Sequence, residues 1–456
     1  MHRPLRHQLS AAATSKIAAF AAQTQWDDIP AHVRHEAKRS LLNYFATAIA
    51  GSGEAAVATS LAVLAPFAGA ADCRIIGRAE RVDMPLAAYL NAISANVFDY
   101  DDTHQETVIH PTAPIAPALF AHAERQRCTG ASLLRAFVLG GEIECRIGNA
   151  VSPSHYARGW HITSTCGVFG AAAGIGVLLG LSQEQHAWSI GNAAAQASGL
   201  VETLGTMSKS ISVGNAARNG ILSALLAENN FSGPADPLAG ERGFLSVFSD
   251  QPTVNRLTDG LGEDWEIAKN TYKPYPAAIV LHPVIEACIQ LHREAGLRSE
   301  DVAEVELTGH PLLRQRADRA EAATGRLSQV SAQHAIAIAL RRGKAGLMEF
   351  NDAAAAETLG DGIRPNVKFI DDAGRALETV RMLVRTQQGR SHDIEITAAK
   401  GGPLNPMTDA ELEEKLAELA AYRGFNRDVG AIAEAVWSLD GAEDAGEIMA
   451  LANMAG

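Results

Sequence analysis

GVFGAAAGIGVLLG, residues 167–180, is the stretch whose reading decides the fold. With its flanks it gives an uncharged run from Ile162 to Ser182, long enough to span a bilayer. The run is rich in Gly, Ala, Ser and Thr and has neither flanking Lys/Arg nor an aromatic belt, which is the composition of a buried core helix. So many glycines also raise the possibility of a dinucleotide fingerprint. Such a fingerprint needs GxGxxG spacing, a preceding strand and a downstream acid, and the run lacks all three. The stretch therefore reads as a helix whose small residues let neighbouring helices come close in the centre of a bundle.

Outward from this helix the spacing stays helical. Residues 29–50 place apolar Val33, Ala37, Leu41, Phe45 and Ala48 three or four apart, with Asp28 as the expected cap, Pro30 in the first turn and Gly51 as the stop. Similar patterns recur at 85–97, 115–126, 131–150, 163–181, 183–198 and 213–229. Ser182 with Gln185 makes a capping box. From residue 269 the texture changes. VAEVELTG (302–309) alternates, NVKFID (366–371) reads as a strand, and VRMLVRT and HDIEITA flank a turn as a hairpin, with a helix at 331–342 among them. After Gly401-Gly402-Pro403 helix returns, with Thr408 and Glu411 as a second capping box. The expected fold is mainly α. A large all-helical domain, 1–268 plus 403–456, carries a smaller inserted α+β domain, 269–402.

The bulk numbers agree with a soluble globular protein. The 456 residues are 47% hydrophobic and 20% charged, enough apolar material for more than one core. A net charge of −13 without basic runs argues against a nucleic-acid partner, although a local cluster of His and Lys can still capture a carboxylate. Cys73, Cys128, Cys145, Cys166 and Cys288 stand singly with no CxxC pair, which suits a reducing compartment and speaks against zinc. The N-terminus has no unbroken apolar segment, so the expected location is cytoplasmic, off the membrane.

Chemistry concentrates at a few places. DYDDTHQETVIHP (99–111) packs Asp99, Asp101, Asp102, His104, Glu106 and His110 into one span; a metal site, a solvated loop and the floor of an active site are all open to it. His161 sits in RGWHITST directly before the uncharged helix, where a helix start favours an anion. Lys209 lies in GTMSKSISVGNAAR with Ser208, Ser210 and Ser212 around it, again just ahead of a helix, and Lys273 begins KPYP at the change of texture. Each of these is a polar residue in an apolar, small-residue setting.

As a set, FDYDDTH, HPTAPIAPAL, GWH, SKSISVGNAARNG, FSGPADPLAGERGF, KPYP, SAQHAIAIAL and KGGPLNPMTDAELEEK resemble the MmgE/PrpD family over essentially the full chain. That family includes 2-methylcitrate dehydratase, cis-aconitate decarboxylase and iminodisuccinate epimerase. The resemblance implies that the smaller α+β domain is a lid, that the protein is a homodimer, and that catalysis needs neither metal nor cofactor. It also implies an active-site lining of Asp99, Thr103, His110, His161, Lys209 and Lys273, with His334 of SAQHA where members carry Tyr or His; Ser208 joins them as an expected substrate contact. After KPYP the chain departs from the family pattern with Ala277-Ala278-Ile279, so contacts there differ.

Family substrates are di- or tricarboxylates, and their reactions move a proton at a carbon next to a carboxylate. That carbon acid is weak, so cationic groups must offset the developing charge. The expected roles are His161 or Lys209 as the base, His110 as the acid that assists departure of a hydroxyl, and Asp99 as the carboxylate that orients or charges a histidine. The leading expectation is a dehydratase of a hydroxy-polycarboxylate. An imino-dicarboxylate epimerase and a cis-aconitate-type decarboxylase are alternatives, and a non-catalytic carboxylate binder is a remote one.

Overall fold

A computed structural model describes residues 3–454, with side chains from Ala13 onward. The chain divides into two compact units. One runs from the N-terminal helix to Asn270 and resumes at Asp409; the other is Thr271–Thr408.

In the larger unit the deciding stretch forms the helix Ile162–Leu178, buried at every residue from Ile162 to Val177. Its main neighbours are the helices Gly130–Val151, Ser208–Glu228 and Thr112–Arg125. Glycines set how near these helices come: a Cβ at Gly140 would lie 2.7 Å from the Gly170 carbonyl oxygen, and one at Gly220 would lie 2.4 Å from Ala171 Cβ. The glycines' entropic cost, roughly 0.5–1 kcal/mol each, is offset by the backbone contact that a side chain would prevent. No single helix among the described residues is long and apolar enough to cross a membrane.

The helix expected at 29–50 forms as Ala31–Gly51, with Val33, Ala37, Leu41, Phe45 and Ala48 fully buried. Full burial of a Leu or Phe stabilises by about 1.5–3 kcal/mol. The start differs from expectation. Pro30 itself is the N-cap, and Asp28 ends a short 3-10 turn in which its carboxylate accepts the Gln25 N–H. A proline disfavours helical backbone in the residue before it, which explains the shift. The helix expected at 213–229 begins five residues early, as Ser208–Glu228, so Lys209 lies inside its first turn and not ahead of it. The Ser182–Gln185 capping box is reciprocal, at 3.2 and 3.0 Å.

The smaller unit holds a four-stranded sheet in the order Val367–Asp371, Val302–Gly309, Val380–Thr386, Ser391–Ile396. The first pair is parallel and the others antiparallel. The two-residue alternation of Val380, Met382 and Val384 turns these side chains inward, where they meet residues of the helices His282–Glu294 and Ala332–Arg342 in one core.

Candidate active site

The loop after the helix Met84–Asn96 decides the geometry. Asp99 has φ +56°, left-handed backbone that Asp tolerates better than most residues. Its Oδ1 meets the Lys209 ammonium at 2.5 Å and His110 Nε2 at 3.5 Å. His110 Nδ1 lies 2.7 Å from the Asp102 carbonyl oxygen, an acceptor only, so Nδ1 carries and donates the ring proton. Thr103 Oγ1 stands 3.3 Å from the same nitrogen. The His110 N–H donates to Thr163 Oγ1 in the first turn of the Ile162–Leu178 helix.

His161 is the N-cap residue of that helix. Its N–H donates to the Gly199 carbonyl, and Val201 N–H returns a bond to the Gly159 carbonyl, so two loops hold the histidine between them. Its Nδ1 faces Ser164 Oγ at 3.1 Å and Ser212 Oγ at 3.3 Å. Burial pushes the His161 pKa down to about 3; the neighbouring Lys209 and His110 lower it further, and Asp99 opposes them. The expectation that Asp99 charges a histidine is therefore corrected for His161, because desolvation outweighs the carboxylate. Asp99, Thr103, His110, His161 and Lys209 thus meet within one unit. Lys209 is only 2% exposed.

The other acids of the loop do different work. Asp102 accepts from Thr112 Oγ1 at 2.5 Å and from Asn270 Nδ2 at 2.6 Å; burial and the adjacent Asp101 push its pKa up to about 7. Asp101 accepts from Asn96 Nδ2 at 2.6 Å. Behind Asp102, Glu144 is fully buried with both carboxylate oxygens unpaired, and burial followed by the Asp102 charge drives its pKa far up.

Among the described residues, two groups have the ligand types of a metal centre. Asp99, Asp101 and His110 offer atoms within 4.8 Å of one another, as do His104, Glu106 and Glu266. In the first, the Lys209 ammonium already takes the place that a cation would hold against Asp99. In the second, His104 bonds Glu266 and Thr107, and Lys269 bonds Glu266 again.

Three further contacts were expected. Ser208 is exposed at the first position of its helix, and the hydroxyl near His161 belongs to Ser212, one turn further on. His334 is fully buried in the smaller unit, with Nδ1 2.8 Å from Thr358 Oγ1 and Nε2 2.8 Å from the Glu349 carbonyl. Neither nitrogen is open to a substrate unless a core hydrogen bond breaks. Lys273 is buried in that unit, 6% exposed. Thr163, Ser164, Ser212 and Gly199 escaped sequence reasoning; the available signal was a serine three residues after each of His161 and Lys209, the spacing at which a hydroxyl reaches back to a helical carbonyl.

A helical unit in which buried Lys and His meet a half-buried Asp, followed by an α+β unit, has a match among known families. A model described as the MmgE/PrpD N-terminal domain matches residues 15–257, and one described as the MmgE/PrpD C-terminal domain matches 275–440. The chain belongs to the MmgE/PrpD family. Among curated relatives it is 28% identical to a cis-aconitate decarboxylase-like protein of Aspergillus oryzae, over 96% of each chain. It is 30% identical to cis-aconitate decarboxylase of Aspergillus terreus over 61% of this chain and 60% of that one. To cis-aconitate decarboxylase of Homo sapiens it is 29% identical over 47% of this chain and 45% of that one.

Proposed function

We propose that the protein is a metal- and cofactor-independent lyase that moves a proton at a carbon next to a carboxylate of a di- or tricarboxylate, most simply a dehydratase of a hydroxy-polycarboxylate. The single observation that carries this is the meeting of buried Lys209, His110 and His161 with the half-buried carboxylate of Asp99. An ammonium held in a site of low dielectric stabilises a developing ene-diolate far more than it would in water. His161 or Lys209 is the base, and His110 gives its proton to the departing hydroxyl. Thr103 and Lys273 hold carboxylates, and the Thr271–Thr408 unit serves as a lid. The homodimer implied by the family belongs to the same proposal, and light scattering tests it.

A second reading, decarboxylation of a cis-aconitate-like substrate, is favoured by the names of the relatives. One experiment separates the candidates. The protein is incubated in deuterated water with citrate-like, aconitate-like and iminodisuccinate compounds while new C=C absorbance, carbon dioxide and deuterium in the carbon skeleton are followed. C=C formation with deuterium exchange supports dehydration, and carbon dioxide release supports decarboxylation. Exchange without loss of a group supports epimerisation, and no turnover on any compound overturns the lyase.

A further inference from the structure

Granting the carbon-acid chemistry above, on which this assignment rests, we propose that Ser164 and Ser212 hold His161 as its Nδ1–H tautomer, so that the bare Nε2 is the atom that takes the substrate's proton. A serine hydroxyl has one hydrogen. Ser164 Oγ lies 2.9 Å from the His161 carbonyl oxygen and Ser212 Oγ lies 2.8 Å from the Lys209 carbonyl oxygen, each reaching back three residues in a helical first turn. Both contacts are shorter than the distances from these hydroxyls to the ring. The hydroxyl hydrogens are thus committed to carbonyls, and both oxygens turn lone pairs toward His161 Nδ1. A bare nitrogen facing two acceptors would be repelled, so Nδ1 carries the hydrogen and shares it between them.

That leaves Nε2 with a lone pair. It has no hydrogen-bond partner among the described residues and is not among the sealed, unpaired atoms of the interior. The Lys209 nitrogen is turned to Asp99. The turn that carries this ammonium also supplies the carbonyl that orients Ser212, so cation and base are set by one piece of backbone. Gly199 closes the arrangement from the other side. Its φ is +134°, its carbonyl accepts the His161 N–H, and a Cβ there would fall 2.0 Å from Ser164 Oγ.

In the step itself, the Nε2 lone pair takes the α-hydrogen as a proton, and the C–H electron pair moves into the carboxylate as an ene-diolate beside Lys209. That pair then forms the C=C bond while the β-hydroxyl leaves, taking a proton from His110 to depart as water. Hydroxy-acid becomes alkene plus water. His161 returns its proton to solvent and His110 regains one. Ser164 and Ser212 are positioning residues, acting through His161.

The test pairs a spectroscopic and a kinetic readout on the full chain. In 15N-histidine NMR, with His161→Gln identifying the resonance, the wild type is expected to show hydrogen on Nδ1 and a bare Nε2. With a hydroxy-tricarboxylate in deuterated water, the Ser164→Ala/Ser212→Ala double variant is expected to lose up to about 100-fold in kcat and in C–H exchange, with KM within about twofold, as misorientation of a base produces. Ser212→Thr keeps a hydroxyl and is expected to recover most of that loss. Hydrogen on Nε2 overturns the tautomer, and exchange in the double variant equal to wild type overturns the positioning role. If the NMR result stands but wild type exchanges no C–H hydrogen with any polycarboxylate of the panel, the carbon-acid chemistry falls, and the base role with it.

Discussion

His161 in the larger unit and His334 in the smaller are both buried at the start of a helix, and burial pushes both far below the usual histidine value, to about 3 and about 4. By depth and by titration they are the same kind of residue. They differ in what their nitrogens do. His334 gives both to Thr358 and Glu349 of its own unit, whereas His161 gives only Nδ1 and stands beside an ammonium and a carboxylate. A depressed pKa therefore does not tell the two apart; the unfilled nitrogen of His161 does.

The largest effect that can break this contrast is on turnover. Lys209→Ala, His110→Ala and His161→Ala are each expected to cut kcat about 100- to 10,000-fold in the C=C or carbon dioxide assay. Thermal unfolding should show them folded. Retention of near-full activity in any of them would remove that residue from the cluster's chemistry. His334→Ala should instead cost about 2–5 kcal/mol in urea unfolding, through a cavity and two stranded core partners, with residual activity following the folded fraction. A stable His334→Ala protein with abolished turnover would erase the distinction.

A smaller effect comes from pH. His186 is buried with neither ring nitrogen paired, and burial pushes it down to about 4. The unfolded chain takes up that proton near pH 6.5 while the folded one resists until about 4. The contribution is thus full above 6.5 and lost as pH falls through this window, by up to about 1.4 kcal/mol per unit. His186→Leu removes it, so the stability difference from wild type should grow on acidification, read from urea midpoints at pH 7, 6 and 5. Parallel curves for the two proteins would contradict it. The smallest effect is expected from a chelator, which should leave the rate unchanged. Loss with EDTA and recovery with a divalent ion would put a metal where the Lys209 ammonium is drawn.

Much of the frame was legible because periodicity is a local property. The helix at 29–50, the hairpin around 380–396 and the mostly helical first unit are all written in neighbouring residues. The site was legible by residue type: Asp99, Thr103, His110, His161 and Lys209 do meet. That Ser212 is the hydroxyl facing His161 was not legible, because it depended on where a helix begins. A start misjudged by five residues changes which hydroxyl faces inward. The filled ring of His334 was not legible for another reason. Its partners Thr358 and Glu349 lie 24 and 15 residues away along the chain, and no local spacing announces that a ring will be filled from both sides.

The buried acids beneath the cluster have one more consequence. Glu144 keeps its proton far above the ordinary range, and Asp102 keeps its own up to about 7. Raised acids lose stability as pH climbs above their unfolded value near 4.5 or below; the lowered histidines lose it as pH drops below 6.5. Between those limits the two populations pull the unfolding equilibrium in opposite senses. The scaffold around His161 is thereby buffered against mild acid by its own interior, and its foldedness and its catalytic titration are free to follow different pH profiles.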